Sequence, residues 1–190
     1  MLHVLMCPLA SSDGEKNAVL SSFYWGYTAA MLPSGLLVQR YGGHSMMGVA
    51  LGISSLLTAL LPLVASTAVG VVCVFRALTG IAEASCFPAG YDVLSRWVPS
   101  DEQSSSIGLS FGAGEQLGAI LGFGITGILC DRVGWKSAFY FFGLVGGAAW
   151  VFWMTLCSNN PACDRFISEE ECAHILSMTG GHKSSAVSSP

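Results

Sequence analysis

Residues 41–75 read YGGHSMMGVALGISSLLTALLPLVASTAVGVVCVF, with no Asp, Glu, Lys or Arg anywhere in the run. A helix needs about 20 predominantly apolar residues to cross the hydrocarbon core of a bilayer. A charge-free run of this length has no place on the surface of a soluble domain. Two similar runs flank it, 17–39 and 137–163. The whole chain follows the same pattern: of 190 residues only 8 are Lys or Arg and 12 Asp or Glu, while 52% are hydrophobic. Mean hydropathy is +0.59. Soluble domains are about 25% charged, so the sequence reads as an all-α polytopic membrane protein.

Five spans can be drawn, at 18–38, 45–66, 67–91, 104–129 and 137–157. Helices are expected because lipid offers no partner to a backbone N–H or C=O, which must be satisfied within the segment. A barrel would alternate apolar and polar residues, and a run such as 145–151 does not. A short segment, 1–17, precedes the spans. A polar end, 158–190, follows them. Within it, residues 168–171 (SEEE) have the S-x-x-E form that starts a helix, here about 168–178. The longest loop between spans is 92–103. Pro33, Pro62 and Pro88 are expected to kink or break their helices. Gly114, Gly118 and Gly122 recur every four residues and predict a face for close helix packing.

Composition excludes several functions. A net charge of −4 argues against a nucleic-acid partner held by bulk charge. The seven cysteines show no metal-ligand spacing, and neither a metal nor a cofactor is expected. Residues 43–48 (GHSMMG) approach the nucleophile elbow G-x-S-x-G. Met47 stands where that motif needs glycine, and the strand–turn–helix context is missing. An intramembrane enzyme is therefore not expected.

Three ionisable residues lie deep within the spans: Arg76, Glu83 and Glu115. A charge at the centre of a membrane helix costs at least about 2.5–3.5 kcal/mol, so such residues face the bundle interior or a water-filled cavity. Arg76 and Glu83 are seven residues apart, which puts them on one helix face roughly 10.5 Å apart. Thr79 and Gly80 lie between them. The pattern suits an anion site at Arg76 and a carboxylate at Glu83 able to take a proton when the site empties. A structural ion-pair network tying helices together would use the same residues.

Residues 35–44 (GLLVQRYGGH) resemble the loop after the second helix of major facilitator transporters. Gly35, Arg40 and Gly42 match that pattern, while Gln39 stands in for its acid and Gly43 for a basic residue. Residues 22–27 (SFYWGY), 33–35 (PSG), 75–83 (FRALTGIAE), 87–89 (FPA), 96–99 (RWVP), 134–140 (GWKSAFY) and 167–171 (ISEEE) are similar to the anion:cation symporter branch. That branch holds sialin, the vesicular glutamate transporters and the sodium–phosphate cotransporters. The resemblance covers about 17–176.

The resemblance implies the N-terminal half of a twelve-helix fold without its first helix, the spans being helices two to six. Loops 39–44 and 92–103 and the tail, 158–190, would face the cytosol. It further implies a secondary active transporter, moving organic or inorganic anions with H+ or Na+. Arg76, Thr79 and Tyr27 would contact substrate, Glu83 and Glu115 would serve proton coupling, and Gly35, Arg40 and Gly42 would serve conformational change. The partners implied are an anionic small molecule, H+ or Na+, the bilayer and the missing half of the transporter. The resemblance fits a multi-pass protein of plasma membrane, lysosome or secretory vesicle and does not choose among them. Two departures stand out. Leu20 occupies a place where vesicular glutamate transporters carry histidine, and Glu115 occupies one where an uncharged residue is expected. The alternative is a truncated membrane protein that does not transport and acts only through helix association.

Overall fold

A computed structural model describes residues 13–65, 67–98 and 102–157. The segment 1–12 and the end 158–190, with the helix expected near 168–178, lie outside the described residues. Within them the elements are α1 (Asp13–Tyr41), α2 (Gly43–Val64), α3 (Val69–Glu83), α4 (Cys86–Trp97) and α5 (Gln103–Ile107). A π-helical segment, Gly108–Gly114, follows, then α6 (Glu115–Arg132) and α7 (Trp135–Leu156). No strand occurs among the described residues.

Four helical stretches are long and apolar enough to cross a membrane: Gly43–Val64, Val69–Trp97, Gln103–Arg132 and Trp135–Leu156. α1 is not among them, although it runs 29 residues. Its composition explains this: Ser21, Ser22, Tyr24, Tyr27, Thr28 and Ser34 dilute the apolar residues. Large apolar side chains point outward throughout, with Leu32 86% and Trp25 75% exposed. In water such a surface would aggregate, whereas in lipid it is the solvated face.

Two tight helix pairs make the frame. The first is α1 on α3. A Cβ added at Gly26 would collide with the Ala77 backbone, and one at Gly80 with the Phe23 carbonyl. Glycine at both positions lets the two backbones touch. The second pair is α2 on α7. Gly48, Gly52, Ser55 and Ala59 form a stripe at helical spacing, met in reverse order by Met154, Trp150, Gly146 and Gly143. α3 also packs on α2, which joins the pairs. Val19 of α1, Leu61 of α2, Val72 of α3 and Phe139 of α7 pack together as a buried cluster.

The packing face expected at Gly114, Gly118 and Gly122 is not covered by any of the described residues. A Cβ at Gly118 or Gly122 would meet nothing within 4 Å, and one at Gly114 only its own helix's Leu109 carbonyl. The small-residue stripe that is used belongs to α2 and α7. The stretch Gln103–Arg132 is tied instead by Phe111, whose ring stacks on Phe87 at 5.3 Å and on Tyr91 at 5.0 Å, and by contacts of α6 with α7.

Helix also replaces half of the expected loop 92–103. α4 continues to Trp97, and within its last turns Arg96 pairs with Asp92 at 3.0 Å. Near Pro88 the helix does break, at Ala84 and Ser85, where α3 gives way to α4. Pro88 has no N–H to offer the carbonyl four residues back. That carbonyl, on fully buried Ala84, is instead within 3.2 Å of the Ser34 hydroxyl of α1, which also lies 2.8 Å from Met31 O. Pro33 and Pro62 lie inside α1 and α2, which continue through them.

Candidate functional site

A cavity of about 280 Å³ opens between α1, α2 and α3. Its lining comprises Val19, Leu20, Phe23 and Tyr24 of α1, Thr58 of α2, and Arg76, Thr79 and Glu83 of α3. The seven-residue spacing of Arg76 and Glu83 therefore does place both side chains on one cavity wall. They form no ion pair. Among the described residues the ion pairs at close range are Lys16–Asp13 and Arg96–Asp92. The two turns between Arg76 and Glu83 leave room for a third party.

The Arg76 environment is the most informative. Its Nε is buried and makes no hydrogen bond. Its guanidinium carbon lies 5.9 Å from the centre of the Phe139 ring, presented by α7. A cation over an aromatic face is partly compensated, by about 0.5–2 kcal/mol. That does not replace an acceptor for the buried N–H. Thr79 is buried and gives its hydroxyl proton to Phe75 O at 2.8 Å, so only its oxygen lone pairs remain for the cavity.

The other expected site residues are placed differently. Tyr27 does not line this cavity. It stacks on Phe23 at 6.0 Å, close to the α1–α3 crossing. Glu115 opens α6 and is exposed, outside the lining. Gly35, Arg40 and Gly42 lie at the far end of α1. Gly42 turns the chain into α2 at φ 83°, a conformation that suits glycine. Arg40 is exposed, its guanidinium 5.8 Å from the Tyr41 ring, and a Cβ at Gly35 would meet nothing.

Residues with no assigned role in the sequence reading complete the picture. Thr58 brings α2 into the cavity wall, and Phe139 faces Arg76 from α7. At the helix ends, the Gly43 N–H donates to Asp92 Oδ2 at 2.8 Å. Trp153 Nε1 donates to His44 O at 3.0 Å, and the two rings stack at 5.6 Å. These contacts tie the α1–α2 turn to the ends of α4 and α7. The unusual Gly43 is the available signal: a Cβ there would lie 2.5 Å from Ala89 O and 2.9 Å from Asp92 Oδ2.

Comparison with known proteins places the chain in a family. Sialin of Homo sapiens is 35% identical over 179 residues, covering 94% of this chain and 36% of that protein. Vesicular glutamate transporter 3 of Danio rerio is 35% identical over 159 residues, 84% of this chain and 27% of its own. The chloroplastic ascorbate transporter of Arabidopsis thaliana is 33% identical over 172 residues, 90% and 31% respectively. The chain thus spans about a third of the length of these curated relatives. A family model described as Major Facilitator Superfamily matches residues 4–176. With that match laid over described residues that are helical and hold four stretches long and apolar enough to cross a membrane, this integral multi-pass membrane protein belongs to the major facilitator superfamily.

Proposed function

We propose that this chain carries an anion-binding wall of a secondary active transporter, with Arg76 as the anion contact and Glu83 as the residue that carries the coupled proton. One observation carries the reading. Arg76 lines a membrane-embedded cavity with a buried, unpaired Nε, a donor set in search of an acceptor. An anion entering the cavity supplies that acceptor. Guanidinium matches carboxylate or phosphate through paired N–H bonds, so the match has direction as well as charge. The relatives' names, with their glutamate and ascorbate, support an anionic cargo.

Glu83 shares the wall without touching Arg76. A bound anion answers the charge of Arg76, while an empty site leaves the cation facing the carboxylate across two turns. Binding and protonation are thereby coupled through one cavity. H+ suits a lone carboxylate better than Na+, which wants several oxygen ligands. Thr79 contributes an acceptor between the two. Tyr27 lies beside the wall, stacked on the lining residue Phe23, and Glu115 is a second carboxylate, exposed and outside the lining.

Uptake into proteoliposomes across an imposed pH gradient tests the reading. Arg76→Ala is expected to abolish anion uptake. Glu83→Gln is expected to leave anion binding in place and to flatten the dependence of uptake on the gradient. Wild-type uptake by Arg76→Ala, or an unaltered gradient response in Glu83→Gln, overturns the corresponding assignment.

A further inference from the structure

We propose that Thr58 is a specificity-determining residue: its hydroxyl reaches the ligand from α2, so that the cavity prefers hydroxylated carboxylates to apolar carboxylates of equal length. The proposal rests on the reading of the Arg76 cavity as an anion site.

The first support is hydrogen-bond accounting. Hydroxyls in membrane helices ordinarily fold back onto a carbonyl of their own helix, and the neighbours do so here. In α2 itself Ser54 donates to Leu51 O at 3.4 Å and Ser55 to Gly52 O at 3.0 Å. Across the cavity Thr79 donates to Phe75 O. Thr58 lines the cavity, and its hydroxyl has no hydrogen-bond partner among the described residues. Thr58 is half-buried, so its hydroxyl remains free to hydrogen-bond a ligand oxygen entering the cavity.

The second support is the register of α2. Ser55 and Ala59 meet α7 at Gly146 and Gly143, while Leu61 meets Val19 and Val72 in the core. Thr58 is one turn from both Ser55 and Leu61, on the side turned to α1 and α3. It is held there by packing on either side.

The third support is the distribution of donors and acceptors around the lining. Arg76 offers donors only. Thr58 offers a donor and an acceptor. Thr79 offers an acceptor, and ionised Glu83 offers acceptors only. Leu20, Val19 and Phe23 close the rest with apolar surface. A bare carboxylate satisfies Arg76 and leaves the others idle. A carboxylate whose chain carries hydroxyls can satisfy Arg76 at one end and engage Thr58 and Glu83 along its length. Sites built to hydrogen-bond a ligand hydroxyl discriminate against analogues that lack it, because buried polar groups are then left unpaired.

The test is binding of D-gluconate and of hexanoate, six-carbon carboxylates with and without hydroxyls. Isothermal titration would use the full chain in lipid nanodiscs. The wild type is expected to bind gluconate more tightly. Thr58→Val keeps the shape, removes the hydroxyl and is expected to weaken gluconate roughly three- to tenfold, the worth of one hydrogen bond, with hexanoate unchanged. Thr58→Ser keeps the hydroxyl and is expected to stay near the wild type. Unchanged gluconate binding in Thr58→Val, an equal loss for both ligands, or a wild-type preference for hexanoate overturns the proposal. The anion reading is judged separately by Arg76→Ala with hexanoate. Retained binding there sinks the anion site whatever Thr58 does, and a wild type that binds neither ligand sinks both.

Discussion

Ser34 illustrates how a single hydroxyl can repair a helix break. Pro88 cannot bond to the Ala84 carbonyl, and no water reaches that carbonyl because Ala84 is fully buried. The Ser34 hydroxyl, itself 4% exposed, comes within 3.2 Å from the neighbouring helix. Ser34→Ala strands an acceptor in an apolar interior. Interhelical hydrogen bonds in membranes average about 0.6 kcal/mol and reach about 1.7. The stranded group places this loss at the upper end, about 1–2 kcal/mol. Ser22→Ala is the matched control, since its hydroxyl serves only Val19 O in its own helix. Unfolding in SDS titration, followed by tryptophan emission, is expected to shift for Ser34→Ala and barely for Ser22→Ala. Equal shifts would show that the Ser34–Ala84 contact adds nothing. The proline was visible in the sequence as a helix breaker. The serine fifty-four residues earlier was not, because its role depends on α1 lying against the α3–α4 junction.

At the scale of helices, the same contrast separates what was legible from what was not. Arg76 and Glu83 could be placed on one face because both sit on a single helix, and 3.6 residues per turn fixes their relation. The opposite wall could not be placed. Thr58 and Phe139 join the site only because α3 packs on α2 and α7 brings a ring over Arg76. Glycine spacing was similarly ambiguous: small residues one turn apart permit close approach but do not name the partner. Gly143 and Gly122 now give opposite expectations. A Cβ at Gly143 lies 2.7 Å from Ala59 Cβ and 2.9 Å from its Cα. Gly143→Leu must therefore push α2 and α7 apart, at about 1–3 kcal/mol for overpacking. Gly122→Leu meets open space and is expected to stay within about 0.5 kcal/mol of wild type in the same chain. SDS titration of the two variants decides it. Equal destabilisation would mean that α6 also has a tight partner among these helices.

Across the whole molecule, the helix ends sort the charges by side. The contacts from Gly43 to Asp92 and from His44 to Trp153 gather the α1–α2 turn and the ends of α4 and α7 at one end of the bundle. Val64, Val69 and Trp135 pack around the core at the other end, which brings the α2–α3 and α6–α7 connections together. Arg40 and Arg96 therefore lie on one side, and Arg132 and Lys136 on the other. With two of these basic residues on each side, loop charge alone does not set the orientation. The fold at least fixes which residues must share a side. Single cysteines at these four positions, with native cysteines replaced by serine, can be labelled by a membrane-impermeant maleimide. In sealed vesicles Arg40→Cys and Arg96→Cys are expected to react together. Arg132→Cys and Lys136→Cys are expected to react only from the opposite side. On the expectation that the Arg40 side is cytosolic, right-side-out vesicles should protect the first pair. Protection of the second pair instead would reverse the orientation and leave the fold intact. Mixed labelling within either pair would mean that the helices do not cross the bilayer as this bundle requires.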